Sequence, residues 1–215
     1  NIMEILGTQN KPQGLLTHSG HSYHAESTIE IEEIWSTTCS RMVKASEGLE
    51  EYGPLLLSVG DTPCCRWVDD LSGVQEIRPG NFVFFDLMQL KLGVCGTQEL
   101  ALAMVCPVVG VYPERGHVVI HGGAVHFSKE FLTGSDGQPV YGFAGTVQLR
   151  EDGSICQNIL EDMPLISLSQ EHGTLKTNPE SRCLEIGDLV LVWPVHSCLT
   201  CDLASELRTL TGSAI

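Results

Sequence analysis

Residues 189–195 read Leu-Val-Leu-Val-Trp-Pro-Val, an apolar run with no polar break, and His196, Ser197 and Cys198 follow it at once. Such a run predicts a strand buried on both faces. Residues two apart on a strand point to the same face, so a strand carried through this run aims His196 and Cys198 the same way at its end. An imidazole and a thiolate side by side suit a zinc ion. Two protein ligands leave positions open for water or substrate, the mark of a working metal rather than a structural one. The same pair also fits a buried cysteine beside a satisfied histidine.

The rest of the chain divides by texture. Residues 14–19 predict a short strand. A helix is expected over 27–48, because Ser27 and Glu30 form a capping box and Ile31, Ile34, Trp35, Thr38, Met42 and Val43 recur at helical spacing. Pro54 to Val59 and Phe82 to Asp86 read as buried strands. Strand, helix and strand joined by Gly or Asp turns suit βα units of a barrel. After about residue 98 the pattern becomes short strands with Gly, Pro and Asp turns: 100–111, 117–121, 143–149, 165–169 and 189–193. That pattern predicts an antiparallel β domain.

Twelve Lys and Arg against 27 Asp and Glu leave a net charge of −15. This charge excludes nucleic acid and anionic membrane surfaces as partners. No apolar run reaches the length of a membrane span. The nine cysteines are odd in number and follow no secreted-domain spacing, so most are expected to be reduced, small, buried hydrophobes of a cytoplasmic protein. Cys198 and Cys201 form a lone CxxC, whose second sulfur has an open role.

Gly187-Asp188-Leu189-Val190 and the segment Trp193 to Thr200 resemble the C-terminal signature of the D-serine dehydratase and D-threonine aldolase family. In the same order come Thr17 to Tyr23, Ser58 to Pro63, Arg78 to Asp86, and Glu171-His172-Gly173. Together the motifs cover about residues 13–203. The resemblance implies pyridoxal-phosphate enzymes of the alanine-racemase-like fold. It implies an α/β plus β class: the C-terminal part of a (β/α)8 barrel over 1–98, then an antiparallel β domain carrying the metal site over 99–215.

The resemblance also assigns roles. Thr62, Gly80 and Asn81 match positions that cradle the phosphate, and Tyr23 one that meets the pyridine ring. A second Tyr of the family pattern is replaced by Leu16. His196 and Cys198 match the zinc ligands, and His172 a catalytic position near the metal. Read without the resemblance, Ser58 to Pro63 is an ordinary Gly-Asp turn and Arg78 to Asn81 a type II turn. His117, His121 and His126 fall in one β segment and read as a polar strand face. No lysine here sits in the basic, His-containing motif where the family carries its Schiff-base lysine. A fragment, a two-chain enzyme or a non-catalytic relative thus all stay open.

The function so implied is a pyridoxal-phosphate- and zinc-dependent lyase for β-hydroxy D-amino acids, of the D-serine dehydratase type. A D-threonine aldolase-type lyase is the alternative. The partners expected are a small D-amino acid and a second copy of the chain in a homodimer.

Overall fold

The computed structural model describes residues 11–178 and 183–215. They fall into two compact units that divide between Phe82 and Val83.

The first unit is built on three parallel strands. These are β1 (Gly14–His18), β2 (Leu56–Gly60) and β3 (Glu76–Ile77), in that spatial order. β1 and β2 run in register with Thr17 opposite Val59 and His18 opposite Gly60. Between them lies α1 (Thr28–Glu47), and α2 (Thr62–Trp67) follows β2 directly. The helix α1 starts where the capping box places it: Ser27 Oγ accepts from the Glu30 N–H at 3.2 Å. Ile31, Ile34, Trp35 and Met42 form its buried stripe, whereas Val43 faces solvent. Asp61 caps α2 by accepting from the Cys64 N–H at 2.8 Å. Strand–helix–strand units are present as the texture predicts; an eight-stranded barrel is not displayed by these three strands.

The second unit is a closed, wholly antiparallel six-stranded barrel in the order β10-β5-β4-β11-β8-β9. Its strands are β4 (Met104–Tyr112), β5 (His117–His121), β8 (Gly142–Leu149), β9 (Ile155–Leu168), β10 (His172–Lys176) and β11 (Leu189–Pro194). The short pair β6 (Leu132–Thr133) and β7 (Pro139–Val140) stands apart. Three short helices complete the unit: α3 (Leu87–Lys91), α4 (Ala124–Phe127) and α5 (Ser197–Leu203). Val108, Val118, Ile120, Phe127, Leu165, Leu175 and Val192 are among the side chains that fill the barrel core. Closure leaves no exposed sheet edge. Trp193 lies over Gly145, where an added Cβ would stand 2.7 Å from the indole, so glycine is required there. The indole Nε1–H donates to Gln157 Oε1 at 2.9 Å.

Several sequence expectations change. Residues 82–86 form a turn, not a strand: Phe82 and Val83 are exposed, Phe85 takes a left-handed φ of 45°, and Asp86 caps α3. Phe-Val-Phe-Phe has strand composition, but the cap at Asp86 redirects the chain. His126 lies on α4, not on a strand with His117 and His121. The unit boundary falls ahead of the texture change at 98, because residues 85–98 hydrogen-bond into the barrel unit. Ala101 N–H reaches Phe84 O at 2.7 Å, and Gln98 pairs with the Gln157 backbone.

Candidate functional site

In the first unit, Tyr23, Thr62 and Asn81 form one hydrogen-bonded chain. Thr62 opens α2 and is fully buried. Its N–H donates to Tyr23 Oη at 3.4 Å, and its Oγ1 accepts from the Asn81 N–H at 2.9 Å. The Thr62 hydroxyl hydrogen thus remains available to donate. Tyr23 sits in the short 3-10 turn Gly20–His24, its ring tilted 43° to His18 at 6.0 Å. His18 Nδ1–H donates to Gly60 O at 2.6 Å, which fixes its tautomer because a carbonyl can only accept. Next to Asn81, Gly80 faces open space, for a Cβ there would meet no heavy atom within 4 Å. The Thr62 hydroxyl and the open space at Gly80 are features that a phosphate dianion can use. Arg78 does not add to it. Its guanidinium is spent on Ser58 Oγ at 2.8 Å and Thr17 O at 2.6 Å, tying β1, β2 and β3 together.

In the second unit, β11 ends at Pro194, and His196 is the N-cap of α5. Cys198 therefore lies in the first turn of a helix. The strand-face argument that put it beside His196 does not hold, because the extended run stops two residues before the histidine. Both side chains are half-buried. The imidazole of His196 makes no capping hydrogen bond. That duty passes to Asp86, whose Oδ2 accepts from the Ser197 N–H at 3.0 Å, while Ser197 Oγ donates to Phe85 O at 2.7 Å. The Cys198 thiol is held above its ordinary pKa by burial first, then by the charge of Asp86 and by Cys201. An imidazole and a thiol are ligand types that zinc takes, whereas both Asp86 oxygens accept from backbone N–H groups. Among the described residues no group of three or more His, Cys, Asp or Glu side chains forms a metal cluster. The reading therefore rests on His196 and Cys198, with the other coordination positions of zinc left to groups outside this pair.

His172 is brought to different company. It pairs with His121 across β10 and β5, with ring centroids 5.7 Å apart, and His121 lies 5.1 Å from His126. Gly123 lets α4 approach β10: a Cβ there would lie 2.5 Å from the His172 nitrogen. The Gly123 N–H donates to His126 Nδ1 at 3.1 Å. Helix α4 packs against α5, which sets this histidine group beside the helix that carries Cys198. His121, His126, Asp86 and Ser197 escape the sequence reading as site residues. Asp86 and Ser197 lie inside segments that carry the resemblance, and for the two histidines the run Gly122-Gly123-Ala124-Val125-His126 carries a signal, since paired glycines mark a close backbone approach.

A parallel βα unit and a closed antiparallel barrel define the class by fold: the alanine-racemase-like kind. The serine dehydratase domain family model matches residues 101–210, and the chain belongs to that family. The D-threo-3-hydroxyaspartate dehydratase of Delftia sp. HT23 is 28% identical over 201 residues, covering 87% of this chain and 50% of that protein. Its solved structure superposes with a TM-score of 0.77 over 94% of this chain and 54% of that one. The D-serine dehydratase of Dictyostelium discoideum is 27% identical over 222 residues, covering 93% of this chain and 51% of that protein. An ala racemase-like protein of Idiomarina loihiensis, 27% identical, superposes with a TM-score of 0.80 over 99% of this chain and 56% of that one. The chain spans about half the length of the curated relatives it matches.

Proposed function

We propose that this chain works within a pyridoxal-phosphate- and zinc-dependent lyase acting on β-hydroxy D-amino acids, of the D-serine dehydratase (ammonia-lyase) type. The carrying observation is the His196–Cys198 pair at the head of a helix, inside the segment that the family model matches. Solved mutants of a D-threo-3-hydroxyaspartate dehydratase support it: they replace a His and a Cys two positions apart, the spacing of His196 and Cys198, and the Cys mutant is in the metal-free form.

When bound, pyridoxal phosphate supplies an electron sink and zinc a Lewis acid for the β-hydroxyl. Thr62, Gly80 and Asn81 bind the phosphate, and Tyr23 orients the ring. His196 and Cys198 hold the metal. His172, exposed on β10, is the side chain assigned to proton exchange with the substrate. A thiolate ligand gives zinc a softer coordination than a carboxylate, and the Delftia and Dictyostelium relatives are dehydratases. The reading therefore favours loss of the β-hydroxyl over cleavage of the Cα–Cβ bond. We further propose a cytoplasmic homodimer, as the sequence resemblance implies.

The test uses the full-length gene product that contains this chain, assayed on D-serine for pyruvate and ammonia and on D-threonine for glycine. Pyruvate and ammonia in equal amounts, abolished by a chelator, are expected. Glycine as the main product moves the protein to the aldolase branch, and full activity in chelator removes the metal from the chemistry.

A further inference from the structure

We infer that Asp86 is a positioning residue for the metal turn, holding the His196–Ser197–Cys198 segment in the shape that lets its two ligands close on one ion. The inference rests on the zinc reading above and adds to it the part of the molecule that orients the ligands. A helix N-terminus leaves backbone N–H groups without intrahelical partners. Usually the N-cap side chain satisfies one of them. Here the N-cap is His196, whose ring makes no such bond. An imidazole committed to a metal cannot cap as well.

Asp86 replaces it from a distant stretch of chain. The side chain is 2% exposed. One oxygen accepts from the Gln89 N–H at 3.0 Å and so starts α3; the other accepts from the Ser197 N–H at 3.0 Å and so starts α5. Two further bonds close the same clamp: Ser197 Oγ to Phe85 O at 2.7 Å, and Met88 N–H to Val195 O at 3.4 Å. Phe85, lying between them, holds a left-handed φ of 45°, which a bulky residue rarely adopts unless its surroundings enforce it. The clamp thus fixes residues 195–197 from both sides of Asp86.

The experiment is a cobalt(II) titration of the chain, read by the thiolate-to-cobalt charge-transfer band and the visible ligand-field bands. Wild type should bind with both bands, and Cys198→Ala should lose the charge-transfer band. Asp86→Asn keeps size and shape but puts an N–H donor against one of the two backbone N–H groups. It should bind cobalt about 10–100-fold more weakly, the usual cost of losing an outer-shell partner. Ser197→Ala removes only the Phe85 bond and should weaken binding to a smaller degree, which keeps the test decisive if Asp86→Asn does not fold. Val108→Ala, in the barrel core, should lose stability with unchanged cobalt affinity. Wild-type affinity in both Asp86→Asn and Ser197→Ala overturns the positioning role while the metal reading stands. Equal weakening in Val108→Ala reduces the effect to stability and overturns it too. No cobalt bands in wild type sinks the zinc reading, and the inference falls with it.

Discussion

His126 shows how a single side chain ties the site to pH. Burial holds its imidazole below the ordinary value of 6.5; the charge of His121 acts in the same direction, and Glu171 opposes it. His172 completes the group through its contact with His121. The folded state therefore takes up the proton less readily than the unfolded chain. Stability from neutral His126 is present above about pH 6.5 and is lost as the pH falls through that value toward the lowered folded one. Thermal midpoints should fall on acidification below about pH 6, and His126→Asn should flatten that fall. Equal slopes for the two proteins would place the pH dependence elsewhere. The buried thiol of Cys106 is a contrast. Pushed up to about 12 by burial alone, it is a core side chain and takes no part in the chemistry.

Secondary-structure elements were legible where local chemistry decides them. The helix α1 could be placed because Ser27, Glu30 and the Ile31–Ile34–Trp35 spacing all act within a few residues. The strands β5 and β11 followed from apolar runs. Long-range pairing decided what was missed. The first half of β9 carries Gln157, Asn158 and Glu161, and is held as a strand by its pairing with β8. The strand β10 is extended because β5 and β9 flank it. For the site, the identities of His196 and Cys198 were readable but their geometry was not. A histidine N-cap has no sequence signature, and Asp86 lies 111 residues from its Ser197 partner. Gln157 shows the energy of such distant links: it accepts from Trp193 and donates to Leu100 O at 2.7 Å. Gln157→Leu leaves the buried indole N–H unpaired and should cost about 2 kcal/mol in urea unfolding, whereas a loss below about 0.5 kcal/mol would mean that water replaces the amide.

At the scale of the whole molecule, Thr62, Gly80 and Asn81 belong to the first unit and His196 and Cys198 to the second. Family membership rests mainly on the second, since the matching model covers residues 101–210. The net charge of −15 favours cation uptake throughout. The central claim is that His196 and Cys198 hold one zinc ion. Zinc content of the purified chain measures it directly, compared with His196→Ala, Cys198→Ala and Cys201→Ala. The account predicts about one zinc per chain in wild type and Cys201→Ala, and loss in both of the other variants. Unchanged zinc in His196→Ala and Cys198→Ala, or loss confined to Cys201→Ala, would contradict it.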